Sequence, residues 1–218
     1  LKVPAVEDVA NLLVERNGIE PKLALQVAAE SQSHVGMALR LATSADARTR
    51  RKETLKAATQ IRTVTDAVRA CDRWMELAQK DADALTKERD LEEKAALMAA
   101  MGLTENDPVP PSLRTELKRL EEAQKSRAKR SLRDGLDRIL VDLLALYRDV
   151  LTVQLAANTR LVNQDLEAEI RGLAAETKPE QTIAKLEAIE LARVRIDRNV
   201  RDVMVLDSLA VSLQVRKD

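Results

Sequence analysis

Residues Ser131 to Asp165, SLRDGLDRILVDLLALYRDVLTVQLAANTRLVNQD, begin as an amphipathic helix and then become apolar on nearly every side. Leu132, Leu136, Ile139, Leu140, Leu143, Leu144, Tyr147, Val150, Leu151 and Leu155 cover far more than one stripe. Asp134, Arg138, Asp142, Asp149 and Thr152 leave only a narrow polar seam. A helix apolar almost all round has to be covered on several sides, by its own domain or by partner subunits. The segment points to a chain whose work is holding others in place.

The residue types available narrow what can cover it. The 218 residues include no Phe, one Trp (Trp74) and one Tyr (Tyr147), so Ala, Leu and Val have to fill the core. Five Gly and six Pro leave little turn chemistry for sheets, and the expected fold class is all-α. A chain this long forms one or two domains and buries roughly 70% of its extended surface. Its 36 basic and 36 acidic residues balance, which argues against a general attraction to nucleic acid. Cys71 stands alone, so no internal disulfide framework exists, and a reducing cytoplasm suits it. The apolar run Ile139 to Ala157 is interrupted by Asp142, Arg148 and Asp149, short of the roughly 20 residues that span a bilayer. No signal peptide is visible. The chain starts at Leu1, and LKVP reads as the middle of a longer polypeptide.

Along the chain, residues 1–43 read as three short helices joined by tight turns. Pro4 opens the first, and Asn17-Gly18 supplies a left-handed stop with Ile19 packing back on the helix end. Pro21, preceded by Glu20, sits at a first helical position, and Ser33 is placed to cap a third helix over Val35 to Thr43. Ser44 then caps a segment that carries a basic patch, Arg48, Arg50, Arg51 and Lys52. From Ile61 the residues Ile61, Val64, Val68, Cys71, Met75, Ala78, Ala82 and Leu85 alternate steps of three and four, a heptad seam. GLTENDPVPPS, 102–112, with a capping Ser112, reads as the clearest loop. Leu113, Leu117, Leu120 and Gln124 return at the same spacing, so 61–130 predicts a long antiparallel helical hairpin. After Asn158 come a short helix to Glu176, another from Pro179, and a last one over Asn199 to Arg216. Its buried face is expected to hold Val200, Val203, Leu206, Leu209, Ala210 and Leu213, with Met204, Val205 and Val211 widening it.

No catalytic constellation is present. His34 is the only histidine, so neither a Glu-x-x-His di-iron bundle nor a zinc His cluster can be assembled, and a capping or surface role is expected for it. The five glycines are isolated, so there is no phosphate loop. The carboxylates mostly have Lys or Arg three or four residues away, as on solvated helices. No metal and no cofactor is expected. One run stands out: Gln124 to Arg133 carries Lys125, Arg127, Lys129, Arg130 and Arg133 with no acid among them. Such a cluster suits phosphate contact, sequence-independent because no aromatic is near to stack a base. The plainer reading pairs the run with the acidic segment DLEEK across the hairpin.

Three segments in order, SQSHVGMALRLATS (31–44), YRDVLTVQLAANTRLVNQD (147–165) and RNVRDVMVLDSLAVSL (198–213), resemble parts of bacterial clamp-loader subunits. The best match is to the delta prime family of the DNA polymerase III holoenzyme in its actinobacterial form, where a Gln-Lys-Ser-Arg run also precedes the apolar helix. The resemblance implies that residues 1–43 are the small helical lid of a AAA+ module. Residues 44–218 would be the collar domain, which packs with its counterparts in a ring of five. The nucleotide-binding first domain of such a module would lie outside this sequence. The family's sensor-two helix carries Gly-x-x-Arg; here Leu39 stands three after Gly36 and Arg40 falls one later, so Arg40 is at most a weak sensor-like residue.

The resemblance further implies a non-enzymatic scaffold, with the clamp-loader ATPase (tau/gamma) and delta subunits as partners in a hetero-pentamer. Primed DNA would be met through the assembled complex, in the cytoplasmic replisome and with no membrane. Tyr147, Val150, Leu151, Leu155, Val200, Val203, Met204, Leu206, Leu209 and Leu213 are then expected to serve both core and subunit interface. Two other readings of the residues stand beside it: a stand-alone nucleic-acid-binding helical protein using the basic run, and a coiled-coil adaptor built on the heptads.

Overall fold

The computed structural model describes residues 4–100, 102–103 and 110–215. Among these every regular element is helical, as the composition required, with no strand: α1 (Val6–Asn17), α2 (Pro21–Glu30), α3 (Val35–Thr43), α4 (Ala45–Thr59), α5 (Val64–Ala99), α6 (Pro111–Gln154), α7 (Glu167–Glu176), α8 (Pro179–Asp197) and α9 (Asp202–Ser212). A short 3-10 turn, Gln164–Leu166, leads into α7.

Local chemistry sets most boundaries. Gly18 adopts φ 65° and donates to Val14, while Ile19 donates to the Leu13 carbonyl at 3.3 Å, the left-handed helix stop expected of Asn17-Gly18. Glu20 caps α2 by accepting from the Lys22 and Leu23 amides at 2.9 and 2.8 Å, which holds its carboxyl below the ordinary range. Ser44 caps α4 through the Ala47 amide. Thr63 and Asp66 exchange hydrogen bonds across the first turn of α5. At α3 the cap is His34, whose Nδ1 accepts from the Met37 amide at 3.2 Å, and not Ser33. Gln32 and Ser33 both take left-handed φ (50° and 66°) to turn the chain, which leaves His34 as the extended residue at the helix entrance.

The chain divides into two compact units, Leu1–Arg73 with Leu140–Asp218, and Trp74–Ile139. In the first, α1 to α3 enclose a cluster of Val9, Leu13, Ala24, Val27, Ala38 and Leu41, which also takes in Ala47 of α4. Residues 1–43, the expected lid, therefore have a core that extends into the next helix. In the second unit α5 and α6 run antiparallel. Met98 clusters with Leu113 and Leu117, Arg127 meets Asp90 and Glu93, and Arg138 meets Asp81 at 2.7 Å. Partners thus move back along α5 as they advance along α6. Gly135 is the closest point: a Cβ there would lie 3.2 Å from the Ala78 carbonyl oxygen.

The seam of α5 is rotated from the expected one. Val64, Val68 and Leu85 are exposed, and Ile61 is buried but precedes the helix. The buried line runs through Ala67, Ala70, Cys71, Trp74, Leu77, Ala78 and Ala82. Alanines on that line bring backbones closer than valines would, and one Trp fills more volume than any aliphatic on the expected seam. Of the expected loop, residues 104–109 lie outside the described residues. Gly102 (φ 70°) ends α5, and α6 opens on Pro111, so Ser112 is its second residue and not its cap. The last helix is shorter than expected, because Asn199 turns at φ 62° and α9 begins only at Asp202; Arg216 lies outside the described residues.

Candidate assembly surface

Between Ile139 and Val150 of α6 only Arg148 is exposed; Leu140, Leu143, Leu146 and Tyr147 are essentially inaccessible. The chain therefore covers its own all-round apolar helix, and this stretch needs no partner subunit for burial. Its neighbours are aligned by a buried polar network in the first unit. The Asp149 carboxylate, 1% exposed, accepts from the Val162 and Asn163 amides at 3.0 and 2.8 Å and from Asn163 Nδ2 at 2.9 Å. Arg51 donates to Asn163 Oδ1 at 2.5 Å and to Asp142 Oδ1 at 3.0 Å, and lies 3.6 Å from Glu30. Four parts of the chain, α2, α4, α6 and the segment before α7, are thereby held in one register. Arg51, expected on a basic patch with Arg48, Arg50 and Lys52, is only 7% exposed. A helical phase shared with Leu55 and Ala58 was the available signal.

The proposed interface residues separate cleanly. Tyr147, Val150, Leu206, Leu209 and Leu213 are buried in the chain's own core, and Leu151 is half-buried. Leu155, Val200, Val203 and Met204 are exposed, with Met204 at 61%. The cause is visible in α9. Val205, Leu206, Leu209 and Ala210 make its buried face, Met204 and Val211 lie on the opposite side, and Val203 is exposed at the edge beside Ala210. On the uncovered side Met204 and Val211 stand among Asp207, Ser208 and Ser212. Alongside it the start of α5 adds exposed Val64 and Val68. The segment after α9 is tied to the one before α5 by Val215 N–H donating to the Ile61 carbonyl at 3.2 Å and Gln214 Nε2 donating to the Arg62 carbonyl at 2.8 Å. Cys71 lies behind Val203, its Sγ 4.0 Å from that residue's carbonyl oxygen. Burial and the Asp207 carboxylate push its thiol up to about 12, which makes it a core residue and a poor nucleophile.

One buried group went unnoticed in the sequence. Lys185 of α8 is 5% exposed, its Nζ makes no hydrogen bond, and it lies 5.5 Å from the centroid of the Tyr147 ring. Burial, reinforced by Arg62 and opposed by Glu176, pulls its amine down to about 8. The Tyr147 hydroxyl is also without a hydrogen-bond partner, and burial raises its titration further.

The basic run divides as well. Arg127 is engaged across the hairpin by Asp90 at 2.7 Å and Glu93 at 3.0 Å, and together with Arg89 it holds the Glu93 carboxyl below its ordinary value. Lys125, Lys129 and Arg130 are exposed on α6, and Arg133 is half-buried. Arg40 is half-buried in the last turn of α3. Among the described residues no group of His, Cys, Asp or Glu is arranged to hold a metal ion, and no helix is long and apolar enough to cross a membrane. No protein-family model, curated protein or solved structure matches the chain.

Proposed function

We propose that this chain is the lid and collar portion of a clamp-loader subunit of the delta prime kind. In this reading it is a non-catalytic stator that positions ATPase neighbours while they place a sliding clamp on primed DNA. The observation that carries the reading is α9, which buries one apolar face in its own bundle and still leaves the large apolar side chains Val203, Met204 and Val211 exposed. Large apolar side chains left exposed on one short helix are candidate contacts for a partner. The ordered resemblance of 31–44, 147–165 and 198–213 supplies the partner class, and it includes this helix. A small helical cluster over α1 to α3, followed by a longer helical bundle, suits a lid leading into a collar. In that role Val200, Val203 and Met204 meet a neighbouring subunit, whereas Tyr147, Leu206 and Leu209 serve by holding the helix that presents them.

The two other readings have less support on particular residues. Arg127, central to the basic run, is already neutralised by two acids. The α5 residues that a coiled-coil adaptor would use are partly buried within the chain, as Cys71, Ala78 and Ala82 are. The test is co-purification with the ATPase (tau/gamma) and delta subunits, using this chain and, in parallel, a full-length version that carries a nucleotide-binding first domain. The proposal expects the full-length version to assemble with both partners. Its failure to do so would remove the clamp-loader reading. Steeply salt-dependent binding of the 218-residue chain to duplex DNA, in place of subunit assembly, would favour the nucleic-acid reading.

A further inference from the structure

Two hydrogen-bond donors in the first unit are enclosed near one another with no acceptor for either. Lys185 of α8 is 5% exposed and Tyr147 of α6 is 1% exposed. Neither the Lys185 Nζ nor the Tyr147 hydroxyl has a hydrogen-bond partner, and Nζ lies 5.5 Å from the centroid of the ring that carries the hydroxyl. The charged groups that act on the amine are Arg62, before α5, and Glu176, at the end of α7. These two are paired with each other at 2.8 Å. Arg62 also donates to the Thr59 and Ile61 carbonyls at 2.9 and 3.3 Å, so its own bonds are already made. At neutral pH the amine, which titrates near 8, is mostly protonated. The cluster then holds two cations, Lys185 and Arg62, against the one carboxylate of Glu176. A buried ammonium calls for a counter-charge and for acceptors, because an unpaired charge in a desolvated place is costly. The face of the Tyr147 ring attracts a cation but accepts no conventional hydrogen bond from it.

We infer that Lys185 and Tyr147 form a binding site for a small monovalent anion of the halide class, held between the Lys185 ammonium and the Tyr147 hydroxyl. The ion accepts from both donors, and Arg62 adds positive field without giving up its bonds. It also balances the charge, with two cations set against Glu176 and the ion. A water molecule would satisfy the donors but leave the excess positive charge in place. A divalent anion would reverse the imbalance. The Arg62 and Glu176 side chains are 39 and 47% exposed, so the cluster reaches solvent at their ion pair. The site does not depend on the clamp-loader reading, which uses the exposed residues of α9.

Chlorine NMR line widths and denaturant unfolding of the 218-residue chain test it, with sodium chloride exchanged for sodium gluconate at constant ionic strength and neutral pH. Protein is expected to broaden the chloride resonance, and chloride to raise the denaturant midpoint relative to gluconate. Both effects should fade as pH rises past 8, where the amine loses its charge and the ion its partner. Lys185→Met removes a buried charge and so keeps the fold, and it should abolish both effects. Tyr147→Phe should weaken chloride binding by about tenfold, through loss of one hydrogen bond to a charged group. Equal midpoints in chloride and gluconate, with no line broadening, would mean that water alone occupies the place and would overturn the inference. So would chloride effects that survive Lys185→Met, or a Tyr147→Phe protein that binds chloride as tightly as the unaltered chain.

Discussion

Lys185 holds a buried amine with no hydrogen-bond partner over the face of Tyr147, and its titration carries a stability cost. In the folded chain it titrates near 8, against an ordinary value of 10.5. Between those two values the unfolded chain binds more protons, so stability rises with pH across that window, and below it the full cost of a buried charge is present. Lys185→Met should therefore stabilise the protein at neutral pH by on the order of 3 kcal/mol. It should also flatten the rise between pH 8 and 10.5, both read from denaturant midpoints. Arg51 presents the opposite case. Its guanidinium is bonded to Asp142 and Asn163 with Glu30 close by, so Arg51→Met strands buried acceptors and should cost about 3–5 kcal/mol in the same measurement. Neither residue was legible in the sequence. A lysine on a mixed helix and an arginine in a basic patch look solvated until the neighbouring helices are in place.

At the scale of elements, the signals that could be read were those whose chemistry is local. Asn17-Gly18, Glu20-Pro21 and Ser44 fix their helix ends through bonds spanning a few residues, and each is found where the pattern put it. What failed was phase. Steps of three and four through Val64, Val68 and Met75 are matched one residue away by Ala67, Ala70, Trp74 and Leu77, and spacing alone cannot choose between two parallel lines. Packing distance chooses, through the close approach at Gly135 and Ala78. Gly135→Leu drives a branched side chain at the Ala78 backbone and should destabilise by about 1–3 kcal/mol, despite the better helix propensity of leucine. The loss should appear as faster amide exchange in Trp74–Ile139. A Gly135→Leu protein as stable as the unaltered chain would mean that the two helices are not in close contact there.

For the whole molecule, the apolar excess of Ser131 to Asp165 was legible as an all-α chain with surplus surface, but where the surplus emerges was not. Most of α6 is covered by the chain itself, and exposed large apolar side chains stand on α9, the start of α5 and α8. A helix that is apolar on all sides shows that something must cover it, while the identity of the cover depends on contacts distant in sequence. The candidate interface was therefore half visible: Val200, Val203, Met204 and Leu155 are exposed, and Tyr147, Val150, Leu206, Leu209 and Leu213 serve the interior. If α9 is the assembly surface, Met204→Asp should disrupt binding without disturbing the fold, since that side chain is 61% exposed. Leu91, 54% exposed on the hairpin, is a matched control of similar size and exposure. The most direct measurement is the affinity of the protein for the proposed clamp-loader ATPase and delta subunits with Met204→Asp and with Leu91→Asp. A loss of about tenfold or more with Met204→Asp and little change with Leu91→Asp is the expected result. Unchanged assembly with Met204→Asp, or an equal loss from both, would contradict the proposal that α9 is an assembly surface.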